Sequence, residues 1–314
     1  MTSTTSPAGE RLRAYVKLAK LSFWDYYTCV LVVFTLLAPS AQAQPRIWLV
    51  LVLFNLGWVG VVAATVAFDD VTGFRDGSDA RNYAPSQAAL RARDRKPLLD
   101  GRLTVPQALR FGYACTFAGL ALWVIAFALA PYVSTLGIVA AAVCAFAFIQ
   151  YSYGLKLSYR GGQELALWLC TGLCVLVPFS MVAGEVTGLM WLESFLFGLW
   201  SLMVSVYSNI NDVEGDREAG RINLATRVSP AAYRGFIAGL SLLELVVIVA
   251  ALALAVAPVW FGIFLVPTVL LRAKQAYDGL VAGKPLIARK AGVTIHRWGV
   301  VALMAGNLVV VHVG

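Results

Sequence analysis

The chain has 314 residues, is 60% hydrophobic and only 13% charged, and has a mean hydropathy of +0.75. A soluble globular domain is seldom so apolar, and the apolar residues fall in repeated runs long enough to cross a bilayer. The formal charge of +8 does not point to nucleic acid, because the basic residues lie between those runs, where they set topology.

In chain order, residues 1–20 read as a polar tail, disordered at first and then basic through Arg11, Arg13, Lys17 and Lys20. No cleavable signal is evident in Met1–Ala14. Nine spans are expected at 22–38, 47–68, 107–130, 134–151, 164–183, 191–208, 235–256, 258–272 and 294–313, the eighth short and carrying Pro267. Every Lys and Arg except Arg46 falls in the tail, in a loop after an even-numbered span, or just inside the adjoining span ends. That alternation places the N-terminus and those loops in the cytoplasm. The expected class is all-α: a polytopic membrane protein of about nine transmembrane helices, with a cytoplasmic tail over 1–20 and a single domain over 21–314. Cys29, Cys115, Cys144, Cys170 and Cys174 all lie inside apolar runs without metal-ligand spacing and read as buried small side chains.

The acids are concentrated as well. Asp69, Asp70, Asp76, Asp79, Asp94 and Asp100 follow span two; Asp212, Glu214, Asp216 and Glu218 follow span six. On a helix Asp212 and Asp216 would face the same way one turn apart, a costly arrangement unless a cation lies between them. Arg217 and Arg221 share the second segment. Arg75 and Arg81 accompany the first, and Arg91, Arg93, Arg95, Lys96 and Arg102 form the densest positive stretch. Hard carboxylate ligands beside basic groups, at the mouths of membrane helices, suit Mg²⁺ holding a diphosphate. Two such clusters about 140 residues apart also hint at repeated four-helix units.

The segment Asn209–Arg227 resembles the second aspartate-rich motif of the UbiA superfamily of membrane prenyltransferases. It is most similar to the branch that prenylates dihydroxynaphthoate: Asn209, Asp212, Asp216, Gly220, Leu224, Ala225 and Arg227 fall on that branch's pattern. Asp69–Asp79 matches the first motif in spacing, Lys96–Arg102 (KPLLDGR) resembles a family loop, and Tyr151–Lys156 (YSYGLK) with Ser158 and Tyr159 resembles another. The first motif usually opens Asn-Asp-x-x-Asp, whereas here Asp69 stands at the Asn and Gly73 at the later Asp, so another acid must compensate. The first span opens with Asp25 among aromatics instead of the family's Arg-Pro, which points to a specialised relative.

The resemblance implies a central cavity with a cytoplasmic-side active site in which Mg²⁺ and a prenyl diphosphate lie between the motifs. Metal would be held by Asp69, Asp70, Asp76, Asp79, Asp212 and Asp216. Arg75, Lys96, Arg102, Lys156, Asn209, Arg217 and Arg221 would contact substrate, and Tyr151 or Tyr153 would orient it or face the allylic cation. An electron-rich aromatic acceptor would then attack, with membrane lipid around the tail. The same fold also admits a terpene cyclase, which quenches the cation internally. A transporter would place functional charge at midplane, for which Glu244 is the clearest candidate; a purely structural scaffold would not account for paired acidic clusters. Asp25 reads either as an interfacial residue or as an acceptor-pocket acid or base, and His296 as a boundary residue or a base. Lys274, Lys284, Arg289 and Lys290 form a basic loop suited to anionic headgroups.

Overall fold

The computed structural model describes residues 7–83 and 92–313. Arg91 of the basic stretch and residues 1–6 of the tail lie outside them. In order the helices are α1 (Pro7–Leu18), α2 (Cys29–Leu36), α3 (Pro39–Gln42), α4 (Pro45–Arg75), α5 (Ser78–Asn82), α6 (Val105–Leu129) and α7 (Thr135–Ile149). They continue as α8 (Gln163–Ala183), α9 (Gly188–Glu218), α10 (Leu224–Arg227), α11 (Pro230–Ala253), α12 (Phe261–Ala276) and α13 (Pro285–His312). Local chemistry starts them: Pro45, Pro230 and Pro285 open helices where no N–H is needed. Side chains of Thr104, Ser134, Thr187 and Ser229 cap the first turns of α6, α7, α9 and α11. The described residues contain no strand; one parallel bridge, Arg160 to Ile222, ties the segment before α8 to the one after α9.

Among the described residues six helices, α4, α6, α8, α9, α11 and α13, are long and apolar enough to cross a membrane. Every expected span coincides with a helix, but spans one, four and eight are short: α2 has 8 residues behind a 3₁₀ turn at Trp24–Tyr27, α7 has 15 and α12 has 16. The tail also differs from expectation. From Pro7 it is helical, and Ala14 and Leu18 bury against Ala67, Val71, Leu98, Leu103 and Ala108.

The largest departure concerns the acidic segments, which are not loops. α4 and α9 each run 31 residues, about 46 Å at helical rise, against a hydrocarbon core of roughly 30 Å. Their surplus turns carry Asp69, Asp70 and Asn209–Glu218 on rigid helix beyond the apolar zone. α9 is the central element, packing on α8 and α13. Its apolar stretch is 83% buried against 22% for α11, which therefore faces lipid.

α4 and α6 pack closely through glycine. A Cβ on Gly119 would stand 2.8 Å from the Gly57 carbonyl and 3.1 Å from the Val61 nitrogen, and backbone cannot step aside as a side chain can. Gly119→Ala should therefore destabilise the protein by roughly 1–3 kcal/mol. Thermal unfolding in detergent checks this; an unchanged midpoint would show that the helices separate freely.

Candidate active site

A cavity of about 260 Å³ opens among α4, α5, α8 and α9. The α4 residues on its wall are Val62, Thr65, Val66, Asp69 and Gly73; those of α9 are Ser201, Val204, Ser205, Ser208, Asn209 and Asp212. Both sets are single helical stripes at three- and four-residue spacing, and both run from apolar or hydroxyl groups to acids toward the C-terminal end. α8 adds Gln163, Leu167 and Thr171 in the opposite sense. The result is a graded space. Lys20, Asp69, Asp79, Lys96, Asp212 and Arg221 surround one end, with Phe23 beneath Arg95 and Arg289, and Tyr26, Tyr27 and Phe148 line the helix interior.

The charged end is tightly wired. Lys96 Nζ, only 4% exposed, lies 2.7 Å from both Asp70 and Asp79. Lys20 reaches Asp70 at 3.0 Å, and Arg221 reaches Asp69 at 3.0 Å. The Ser152 hydroxyl donates to Asp69 at 2.7 Å while Thr72 donates to the Ser152 carbonyl, so the YSYGLK segment is sewn to α4. Tyr159 donates to Asp76 at 2.5 Å, and Arg221 stacks 4.3 Å over its ring. In the second motif Asn223 donates to Asp216 at 2.9 Å and Gln163 to Asn209 at 3.1 Å.

Electrostatics show what this end lacks. Burial pushes the Asp79 carboxyl up to about 6; Lys96 opposes the rise, and the neighbouring Asp70 and Asp69 add to it. Burial alone would lower Lys96, but Asp70 and Asp79 reverse this and hold its ammonium well above the ordinary lysine value. Arg221 behaves likewise: burial is the largest single influence and lowers it, but Asp69, Tyr159, Asp216 and Tyr151 together raise it. All three groups are driven to keep protons, as expected where five carboxylates (Asp69, Asp70, Asp79, Asp212 and Asp216) share a region with Lys20, Lys96 and Arg221. The cluster is short of positive charge.

Gly73 leaves room for an acid from further along the chain. A Cβ there would fall 2.7–2.9 Å from the carboxyl atoms of Asp79. Asp79, brought back on α5 by the turn at Asp76 and Gly77, fills the volume that a side chain at position 73 would take. A carboxyl group from six residues downstream thus stands where a side chain at 73 would.

Several expected contacts lie elsewhere. Asp70 and Asp216 are buried behind the wall, and Asp76 is occupied by Tyr159 and the Ser78 amide. Arg75, Arg217 and Lys156 point outward, Lys156 lying 5.3 Å over the Tyr159 ring. Arg102 pairs with Asp100 and donates to the Asp94 carbonyl. Tyr153 stacks on Phe68 and meets Tyr113 edge-on, whereas Tyr151 lines the cavity. Asp25 faces His296 and Arg297 instead of the cavity, and His296 is fully buried, not a boundary residue. Among wall residues not anticipated are Lys20, Asn82, Tyr83, Ser208, Gln163 and, from the basic loop, Arg289. The signal for Ser205 and Ser208 was their helical register with Asp212; nothing local marked Gln163 or Asn82. The five cysteines are free, and four are buried.

Membrane-length helices around a cavity that is charged at one end and aromatic within define an integral membrane protein built for an amphiphile. The chain belongs to the UbiA prenyltransferase family, whose profile matches residues 29–281. It is thus an enzyme of the prenyltransferase class. Among solved structures it is similar to a UbiA homolog from Archaeoglobus fulgidus bound to GPP and Mg²⁺, with 15% identity, TM-score 0.65, and 93% of this chain and 99% of that one covered. It is also similar to a UbiA homolog from Aeropyrum pernix K1 (16%, TM-score 0.64, 95% and 98%). A digeranylgeranylglyceryl phosphate synthase structure matches at 17% identity and TM-score 0.62, with 95% and 99% covered. No curated protein sequence matches.

Proposed function

We propose that this enzyme moves an isoprenyl group from a prenyl diphosphate to an aromatic acceptor with Mg²⁺. In this reading residues 21–314 form one domain of nine transmembrane helices in a prokaryotic plasma membrane, with the active site and the 1–20 tail on the cytoplasmic side. The observation that carries it is the graded cavity, whose charged end suits a headgroup and whose aromatic interior suits the cation and acceptor. Nothing in it favours the dihydroxynaphthoate branch over another aromatic acceptor.

The residues fit both the metal and the diphosphate. Asp70 Oδ2 is a buried acceptor without a hydrogen-bond partner, while Arg221 Nε and Asn209 Nδ2 are buried donors without one. Orphaned acceptors call for a cation and orphaned donors for an anion. Among the described residues no three His, Cys, Asp or Glu side chains are grouped to hold a metal ion by themselves, so water and substrate phosphates would complete its coordination. Asp69, Asp79 and Asp212, on the cavity wall, would hold Mg²⁺, with Asp70 and Asp216 adding negative charge from behind it, and the ion when bound neutralises the diphosphate as leaving group. Lys20, Lys96 and Arg221 would take phosphate oxygens. Tyr26, Tyr27, Phe148 and Tyr151 would turn ring faces to the allylic cation and keep water from it.

The test uses protein purified in detergent with farnesyl, geranylgeranyl and longer prenyl diphosphates, Mg²⁺ or EDTA, and a panel of phenols and naphthols. Mg²⁺-dependent prenylated product, lost in Asp216→Ala, is expected. A cyclised hydrocarbon formed without acceptor would replace this reading with a cyclase, and folded protein that releases no diphosphate would end both.

A further inference from the structure

A second charged group stands behind the aromatic end of the cavity, and the diphosphate site makes no use of it. Asp25, in the 3₁₀ turn before α2, and His296, on α13, are both fully buried. Asp25 Oδ2 lies 2.8 Å from His296 Nδ1, and Asp25 Oδ1 accepts from Arg297 Nε at 3.2 Å. A carboxylate held by a guanidinium accepts a hydrogen bond from Nδ1–H of the neutral imidazole, so Nε2 is left as the acceptor nitrogen. Nε2 faces Ser201 Oγ at 3.5 Å, while the Ser201 hydroxyl donates to the Phe197 carbonyl at 3.0 Å and must turn from it to serve Nε2. Ser201 lies on the cavity stripe of α9, beside Tyr26, whose ring packs 5.1 Å from the imidazole. Phe197 and Trp200 enclose the ring from α9, at 4.6 and 6.3 Å. A buried ionic pair is a costly way to join three helices, and apolar residues would serve packing as well. What this arrangement adds is a basic nitrogen whose nearest polar neighbour opens on the reaction space.

We propose that Ser201, His296 and Asp25 form the proton-accepting arm of the transfer. This rests on the aromatic-acceptor reading. The C–O bond to diphosphate breaks and its electron pair leaves with the diphosphate. A ring carbon of the acceptor bonds the allylic carbon with a π pair, and the arenium then loses the proton on that carbon, whose C–H pair restores the ring. Ser201 takes that proton as its own passes to His296 Nε2, and Asp25 stabilises the imidazolium. Ser201 is the contacting group; His296 and Asp25 act through it as positioning residues.

The experiment compares wild type with His296→Gln, Ser201→Ala and Asp25→Asn, using geranylgeranyl diphosphate, Mg²⁺ and the acceptor panel. Diphosphate release, prenylated product and prenyl alcohol are measured together across pH, with thermal unfolding as the control for folding. Expected is a fall in prenylated product of roughly 10²-fold or more in His296→Gln, with a much smaller fall in diphosphate release and a rise in prenyl alcohol. The ratio of prenylated product to diphosphate release in wild type should decline toward acid pH, and that decline should vanish in His296→Gln. The groups facing the imidazole are Asp25 and Tyr26 from the first turn and Arg297 from its own helix, with Arg289 close to Tyr26. If His296→Gln unfolds, Ser201→Ala, which removes one hydroxyl, decides by the same product-to-release ratio. A ratio unchanged from wild type, or an unchanged acid limb, would make the pair structural and overturn the inference. Wild type that releases diphosphate without prenylating any acceptor would instead overturn the transfer reading, and the inference with it.

Discussion

Asp79→Ala should lower kcat for transfer by roughly 10²–10³-fold, the usual scale for one preorganised electrostatic group, and Gly73→Asp added to it should restore part of the loss. The argument is geometric. A residue-73 Cβ would fall within 2.9 Å of the Asp79 carboxyl, so the two positions contend for one volume. Gly73→Asp alone should therefore be harmful, because it crowds a carboxyl that already neighbours Asp69 and Asp70. In the Asp79→Ala background that volume is open, and an acid at 73 returns a carboxylate to it from α4. Single variants that both lose activity and a double variant at least tenfold better than Asp79→Ala alone would establish the exchange. A double variant no better than the singles would show that Asp79 acts through α5 itself. Isothermal titration with Mg²⁺ and a non-ionisable diphosphate analogue separates lost metal binding from lost turnover.

That exchange marks where the sequence stopped being legible. Gly73 was conspicuous as a missing acid, and Asp79 stood among the alternatives. Choosing Asp79 over Asp76 needed the turn at Gly77, which sends Asp79 back and leaves Asp76 to Tyr159. The helices were legible because burial in lipid demands long apolar runs. Their ends were not, since α4 and α9 continue as helix through polar sequence that read as loop. The charge pattern marks Asp69, Asp212, Lys96 and Arg221, all of which line the cavity, but also Arg75 and Arg217, which do not. Charge density locates a region of the chain; the direction of a side chain depends on helical phase. His296 and Asp25 stand 271 positions apart, and nothing in either neighbourhood announces the other.

The largest effect on stability is expected at Glu244. Its Oε1 accepts from Trp200 Nε1 at 2.7 Å and its Oε2 from Arg272 Nε at 2.5 Å, with both charged side chains at most 4% exposed. Arg272 also donates to Gln275, yet its Nη2 has no hydrogen-bond partner. Glu244→Met strands a buried guanidinium and should cost about 3–5 kcal/mol. Glu244→Met with Arg272→Met removes both charges. A cleft of about 190 Å³ borders the pair, and flexible methionines can fill it. The double variant should then unfold within about 1 kcal/mol of wild type or above it. It should also keep prenyl transfer, because neither residue lines the reaction cavity. This pair is what a transport reading would have to use, because Glu244 lies within the apolar run of α11. Loss of transfer from a double variant that is folded and stable would give Glu244 and Arg272 a part in function. Retained transfer would leave them as a brace between α11 and α12, holding Trp200 against Gly299 and, through it, the wall that carries His296.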